Sequence, residues 1–245
     1  MRRFTYKAFV LFVSSLLALS LSACSTHSSS NHNQPQPSPS LSQQNHPPSE
    51  PSISTKDSKF RKLKLPLGVS VEVPKNWWVF DSDMNSNIET AAEAAMNLSD
   101  IELPKGKDVN LFRANSMPKT TFAGIAIIAR DSDQDPEVWK NASEEECKEV
   151  LKELAPEANQ NMQETLSAAG LKVIEFYGMR REFIGKHPAL VMELKRSGPK
   201  GAVIVQTTRL FLGKKEISLT LSYRESEAQI WRPIVQYIRK SFTVA

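Results

Sequence analysis

Residues 216–224 read EISLTLSYR, and this stretch decides the fold that the sequence predicts. Apolar and polar residues alternate along it without interruption. Because successive side chains of a strand point to opposite faces of a sheet, the alternation predicts a strand with one apolar face. Three more strand-like runs precede it, at residues 171–183, 189–196 and 202–212.

Short segments that contain glycine separate these runs, at residues 185–188, 197–201 and 213–215. Glycine-containing connections of this length are typical of hairpins, and consecutive hairpins build an antiparallel sheet. The C-terminal part of the chain is therefore predicted to be an antiparallel meander.

Further strands are predicted nearer the N-terminus. Residues 67–73 alternate apolar and polar positions and meet a turn at residues 74–76, after which a strand opens with Trp77 and Trp78. Pleating sends these two adjacent side chains to opposite faces, so one is expected in the core and the other partly exposed. Residues 122–129 are apolar at both sets of alternating positions, which predicts a central strand covered on both faces.

Helical patterns lie between and after the strands. One helix is predicted from Pro136 to Leu154, because Pro156 interrupts the pattern just after it. A second helix is predicted over residues 157–169, because Gly170 follows as a C-cap. A short alanine-rich helix is predicted at residues 88–98.

A closing helix is predicted after residue 225. Residues 226–229 read SEAQ, a capping-box pattern that marks a helix start. The stripe expected to be buried on this helix is Ile230, Ile234, Ile238 and Phe242.

The order of these elements predicts an α+β fold, in which helices flank an antiparallel β-sheet. Residues 59–245 are long enough to form one domain with its own core. The formal net charge of +4 includes three basic residues, Arg2, Arg3 and Lys7, in a segment predicted to be removed, so the mature chain carries only +1. A nucleic acid is therefore not an expected partner.

The first 23 residues are predicted to be a lipoprotein signal peptide. Basic residues precede an apolar run of about 14 residues, shorter than the roughly 20 that a spanning helix needs. Residues 21–24 then read LSAC, which resembles the bacterial lipoprotein signal, with cleavage between Ala23 and Cys24 and lipid attachment to Cys24. An ordinary secretory signal is the alternative.

The expected location follows from the lipid anchor. By resemblance to Gram-negative sorting, Ser25 favours an outer-membrane lipoprotein that faces the periplasm; an inner-membrane or plasma-membrane anchor that faces outward is the alternative. Residues 24–58 consist mainly of Ser, Pro, Gln and Asn, which predicts a disordered linker. A flexible chain of this length typically spans about 30 Å, so the domain is expected to stand off the membrane.

Three short motifs carry a resemblance to a known family. They are residues 67–77 (LGVSVEVPKNW), residues 185–189 (GKHPA), and the closing segment from Trp231 to Phe242. Together with the order of elements they resemble the PsbP/Mog1 family of α/β/α sandwiches. The resemblance implies a small binding or assembly protein without an established catalytic site, in the branch of bacterial lipoproteins. The long helical segment at residues 137–169 departs from the short members of that family.

Residues that could carry catalysis are scarce in the predicted domain. His187 is the only histidine in residues 59–245, and Cys147 is the only cysteine left once Cys24 is lipidated. A zinc site of the usual kind needs several such ligands, so neither a metal nor another cofactor is expected. A hydrolase that uses His187 remains an alternative. Cys147 shares a helical face with Val150 and Leu154, which predicts a buried apolar role for it.

The sequence favours a non-enzymatic module that binds or helps assemble an envelope protein. One candidate contact residue is whichever of Trp77 and Trp78 is exposed, because aromatic and arginine side chains often anchor interfaces. A basic group adds Arg180, Arg181, Lys186, Lys195, Arg196, Lys200, Lys214 and Lys215. The alternative function is transport of a small apolar ligand in a cavity between the sheet and the helices.

Overall fold

The computed structural model describes residues 59–80, 108–116 and 123–245. The predicted signal peptide and linker, and the helix predicted at residues 88–98, lie outside these ranges. Within the three ranges, no helix is both long enough and apolar enough to cross a membrane.

The described residues form ten strands in two antiparallel sheets. In chain order they are β1 (Phe60–Lys64), β2 (Val69–Pro74), β3 (Trp77–Val79), β4 (Val109–Ser116), β5 (Ala123–Asp131), β6 (Val173–Ile184), β7 (His187–Arg196), β8 (Val203–Leu212), β9 (Lys215–Arg224) and β10 (Thr243–Val244). The large sheet has the spatial order β3-β4-β5-β9-β8-β7-β6, and the small sheet has the order β1-β2-β10. The predicted meander is confirmed as β6 to β9.

Three helices complete the described part of the chain: α1 (Pro136–Asn141), α2 (Glu144–Ala168) and α3 (Ala228–Ser241). One core lies between α2 and the side chains of β7 and β8. A second core lies on the opposite face of the large sheet, where α3 and β2 cover β5 and β9. The α+β prediction of an antiparallel sheet flanked by helices is thus confirmed.

The two tryptophans of β3 divide as pleating requires. Trp77 is 4% exposed and packs edge-on against Trp231 of α3, whereas Trp78 is 42% exposed. The central strand predicted at residues 122–129 is also confirmed for its described part, because residues 123–130 of β5 are all buried.

The helix boundaries correct one prediction. The break lies at Ala142 and Ser143, and α2 then runs through Pro156. Ser143 starts the new helix because its hydroxyl accepts from the Glu146 amide at 3.1 Å while the Glu146 carboxylate accepts from the Ser143 amide at 2.8 Å. Gly170, with φ at +69°, ends the helix in the left-handed conformation, as predicted.

The start and face of α3 correct a second prediction. Residues 225–227 form a 3-10 turn, and no side chain caps the amide groups at the start of α3. The Glu227 carboxylate instead accepts from the indole of Trp231 at 2.8 Å. The buried stripe is Trp231, Val235, Ile238 and Phe242, and Ile230 is 57% exposed. The predicted stripe was therefore wrong at Ile230, whereas Ile234 is partly buried against the core and Ile238 and Phe242 are buried as predicted.

The polar face of β9 is buried as completely as its apolar face. Glu216 has no exposed surface, and its carboxylate lies between two buried guanidinium groups. Arg209 Nε donates to Glu216 Oε1 at 3.1 Å, and Arg130 Nε lies 3.4 Å from the same oxygen. Arg130 also reaches Asp108 Oδ2 at 3.0 Å. A chain of buried charges thus crosses β8, β9 and β5.

Candidate functional site

The basic residues named from the sequence do not form one surface. Arg180 and Arg181 lie on β6, whereas Lys186 lies in the turn between β6 and β7. Lys214 and Lys215 lie at the turn between β8 and β9, at the same end of the sheet. Lys195, Arg196 and Lys200 lie at the opposite end, and Arg196 is only 1% exposed, so burial excludes it from a contact surface.

Carboxylates neutralise several of these cations. Lys215 Nζ lies 2.6 Å from Asp131. Lys214 lines a depression together with Asp131, Asp133 and Asp135. Lys195 lies 3.2 Å from both of its carboxylate neighbours, on residues 175 and 225. The positive charge of the predicted basic group is therefore weak at both ends of the sheet.

A groove lies between α2 and β6, and we call it the α2–β6 groove. It has a volume of about 650 Å³. Its apolar part is Cys147, Leu151 and Ala155 of α2 with Met179 and Phe183 of β6, and its charged part is Glu144, Lys148, Lys152, Arg180 and Arg181. Two residues of the predicted basic group, Arg180 and Arg181, are thus brought into it.

Arg181 fixes the corner at which α1 meets α2. Its guanidinium donates to the carbonyl oxygens of Trp139 at 2.8 Å and Ala142 at 2.6 Å. These carbonyls belong to the end of α1, where the helix itself offers no amide partner. The guanidinium also lies 5.3 Å from the centre of the Phe183 ring. Arg181 therefore fixes the start of α2 relative to β6.

The charges around the groove are mainly positive. Lys148 pairs with Glu144 at 2.8 Å, and Arg180 pairs with Glu182 at 2.8 Å. Within the described part of the chain, Lys152 and Arg181 form no ion pair with a carboxylate. Lys152 and Arg181 thus keep their positive charge beside the apolar residues, and we call these two residues the positive rim of the groove.

β6 is an edge strand, since among the described strands it has a neighbour on one side only. Its first half contains two bulges, between residues 173 and 175 and between residues 176 and 178. Gly178, with φ at +100°, provides the conformation that the second bulge needs. Residues 179–184 then pair with β7 in unbroken register. The groove lies beside this regular half.

No protein-family model matches the chain, and no curated protein sequence matches it.

Solved structures do match it. The solution structure of the cyanobacterial PsbP protein, CyanoP, from Synechocystis has 9% identity and a TM-score of 0.45, and covers 80% of this chain and 98% of its own. LpqN of Mycobacterium tuberculosis, described as involved in cell envelope biogenesis, has 10% identity and a TM-score of 0.39, and covers 72% of this chain and 83% of its own. PsbP is the family to which the sequence motifs pointed.

Cys147 forms part of the groove wall but is not a reactive thiol. Its side chain is 2% exposed and belongs to the core between α2 and the sheet. Burial raises the pKa of the Cys147 thiol, and the nearby Arg181 only partly opposes this effect. The thiol therefore stays protonated at neutral pH, which confirms the apolar role predicted for it.

His187 lies away from the groove, at the start of β7. Its Nε2 atom is buried and has no hydrogen-bond partner. Burial and the cations Lys186 and Lys140 lower the pKa of the imidazole, so His187 is neutral at pH 7. Among the described residues, no group of His, Cys, Asp and Glu side chains could hold a metal ion.

Sequence reasoning named two arginines of the groove but did not identify the groove itself. One signal was present, because the alternation of β6 fails over residues 173–178 and a glycine lies inside the run. Such a glycine often marks a bulge in an edge strand. The neighbour of that edge, α2, is set by tertiary packing that no local pattern encodes.

Proposed function

We propose that the protein is a membrane-anchored, non-enzymatic module that binds or helps assemble a protein of the cell envelope, and that it faces the periplasm from the outer membrane. The observation that carries the proposal is the α2–β6 groove beside an edge strand. A partner would bury the apolar side chains that the groove leaves accessible, of which Phe183 is 49% exposed, and the positive rim offers charge complementarity.

The membrane anchor rests on the N-terminal sequence. Two or three acyl chains on Cys24 would hold the protein stably at a bilayer, whereas a single chain would not. The linker of residues 24–58 would let the groove search about 30 Å from the membrane surface.

In-cell photo-crosslinking tests the proposed partner surface. A photoreactive amino acid in place of Phe183, which lies 49% exposed at the groove, is expected to yield a discrete crosslinked protein on gels and in mass spectra. The matched control is the same amino acid at Ile230, an exposed apolar position on α3. Equal adducts from both positions, or none from position 183, would contradict the proposal.

The predicted anchor is tested separately by Cys24→Ser. We expect this variant to lose lipid labelling and to leave the membrane fraction, because a serine hydroxyl cannot form the thioether that carries the diacylglycerol. Cys147→Ser is the control, since a buried thiol inside the domain has no part in anchoring. Unchanged membrane fractionation of the Cys24→Ser protein would refute the lipoprotein assignment.

Transport of a small apolar ligand is the second candidate function. The groove volume of about 650 Å³ falls in the range of small-molecule sites, roughly 300–1,000 Å³, and the groove lies between the sheet and a helix. Mass spectrometry of organic extracts from the purified protein distinguishes the two functions. A ligand recovered in stoichiometric amount from the wild type, and lost from a Leu151→Glu variant, would favour transport.

A further inference from the structure

The first strand of the domain carries a cluster of exposed lysines. Residues 59–75 contain five basic residues and one acidic residue, although the mature chain carries only +1 in total. The rest of the mature chain is therefore net negative, so positive charge is concentrated where the predicted linker meets the domain. We call the exposed basic residues of this stretch the β1 lysines, and they are Lys59, Lys62, Lys64 and Lys75.

The β1 lysines lie along an edge of the small sheet, since β1 has only β2 as a neighbour among the described strands. Lys62 and Lys64 project from the outward face of the strand, because Leu63 between them packs against the core. Lys59 and Lys75 lie at the end of the same strand, where the Lys75 amide donates to the Lys59 carbonyl oxygen at 2.9 Å. Lysine side chains are long and flexible, so a planar surface along this edge is within reach of all four.

The charge of this cluster is not cancelled by the residues around it. Within the described part of the chain, none of the four lysines takes part in an ion pair. Glu72, the acidic residue of the stretch, lies across from Lys62 in the strand register, but its carboxylate accepts from the hydroxyl of Tyr237. Four positive charges thus stand beside one negative charge at this edge.

The position of the cluster selects a membrane as its partner. The predicted linker ends at Lys59, so the lipid anchor proposed at Cys24 holds this edge within about 30 Å of a bilayer. Each lysine near an anionic lipid surface is attracted to it, and the attraction acts within a Debye length of about 8–10 Å. Little affinity is needed for docking, because the linker makes this second contact intramolecular.

An added protein strand fits this edge less well. Lysines on an edge strand oppose pairing with another strand. Lysine ammonium groups are compact point charges, without the planar fork by which arginine binds one carboxylate in a fixed geometry. A row of lysines therefore suits a diffuse anionic surface better than a single acidic segment.

We infer that the β1 lysines dock the domain on an anionic lipid bilayer, the membrane to which the chain is anchored. The small sheet and α2 lie on opposite faces of the large sheet, so this docking leaves the α2–β6 groove open to a partner. The inference goes beyond the proposed partner binding and shares only the anchor with it.

Lysine acetylation tests the docked state. The full chain is attached to vesicles through Cys24, by its own acyl chains or, where these are absent, by a maleimide lipid, and is acetylated briefly before mass spectrometry. On vesicles of phosphatidylcholine and phosphatidylglycerol in equal parts, acetylation of the β1 lysines should be at least about threefold slower than on phosphatidylcholine alone. Salt at about 1 M should abolish the difference, because the Debye length falls to about 3 Å. Lys152 on α2 and Lys172 just after it are also exposed, and they should react equally on both vesicles.

A matched pair of double variants tests whether the lysines act together. Lys62→Gln combined with Lys64→Gln should restore fast acetylation of the two remaining β1 lysines on anionic vesicles, because fewer cations hold the edge to the surface. Lys152→Gln combined with Lys172→Gln removes the same charge and should leave the β1 lysines protected. All four substituted lysines are exposed, so circular dichroism should show unchanged folding.

Several results would overturn the inference. They are equal acetylation on neutral and anionic vesicles, protection that persists at high salt, slower acetylation of Lys152 and Lys172 as well, or equal effects of the two double variants. Protection of the β1 lysines in cells but not on anionic vesicles would assign the cluster to an acidic protein instead. If crosslinking from position 183 succeeds while the β1 lysines stay unprotected, the proposed function survives and only this docking fails.

Discussion

Glu216→Gln is expected to lower the free energy of unfolding by about 3–5 kcal/mol. The native carboxylate has no exposed surface and lies between Arg209 and Arg130, both of which are also buried. With a neutral amide at position 216, the two guanidinium groups remain close together but lose the negative charge that lies between them and attracts both. Urea denaturation followed by circular dichroism measures the loss.

Glu175→Gln is the matched control for this prediction. Glu175 also pairs with a lysine, Lys195 at 3.2 Å, but its side chain is 53% exposed. Water screens that pair, so its loss should leave the free energy of unfolding almost unchanged. Comparable losses in the two variants would show that the charges around Glu216 are not buried in solution.

Trp77→Ala is expected to destabilise the protein by about 3–5 kcal/mol, whereas Trp78→Ala should cost about 1 kcal/mol. Trp77 fills the core against Trp231, with ring centres 6.1 Å apart, so its removal opens a cavity. Trp78 packs against Phe80, with ring centres 5.4 Å apart, and keeps almost half of its surface in water.

Chemical denaturation of the two single variants makes this comparison directly, because they differ by one position in the same strand. The loss of Trp77 should also alter the fluorescence of Trp231. Equal losses of stability, or a larger loss at position 78, would mean that β3 faces the other way.

The strands of this fold could be predicted from sequence because their signals are local. The alternation of apolar and polar residues identifies which side chains of β9 share the apolar face. Glycine at positions 185 and 213 permits the tight turns between β6 and β7 and between β8 and β9. The helices were harder because local signals compete. Pro156 predicts a helix break, but the helix runs through it, because tertiary packing outweighs the local preference of proline. The actual break lies at Ser143, where the reciprocal hydrogen bonds of Ser143 and Glu146 start α2.

Burial of polar residues could not be predicted in the same way. Arg196 and Glu216 look like surface residues in the sequence, but each lies on a sheet face that is covered from above. Whether a face is covered depends on which distant segments pack on it, and the period of a strand carries no information about that. The groove is hidden from sequence for the same reason, since it joins residues of α2 and β6 about 30 positions apart.

Pro156 gives the two sides of the groove different stiffness. Proline has no amide hydrogen, so the carbonyl of Lys152, one turn earlier in α2, cannot receive the usual helical bond from it, and helices bend most readily at such points. The opposite side is a strand held in a seven-stranded sheet. We therefore expect the groove to widen by bending of α2, while the β6 wall stays in place.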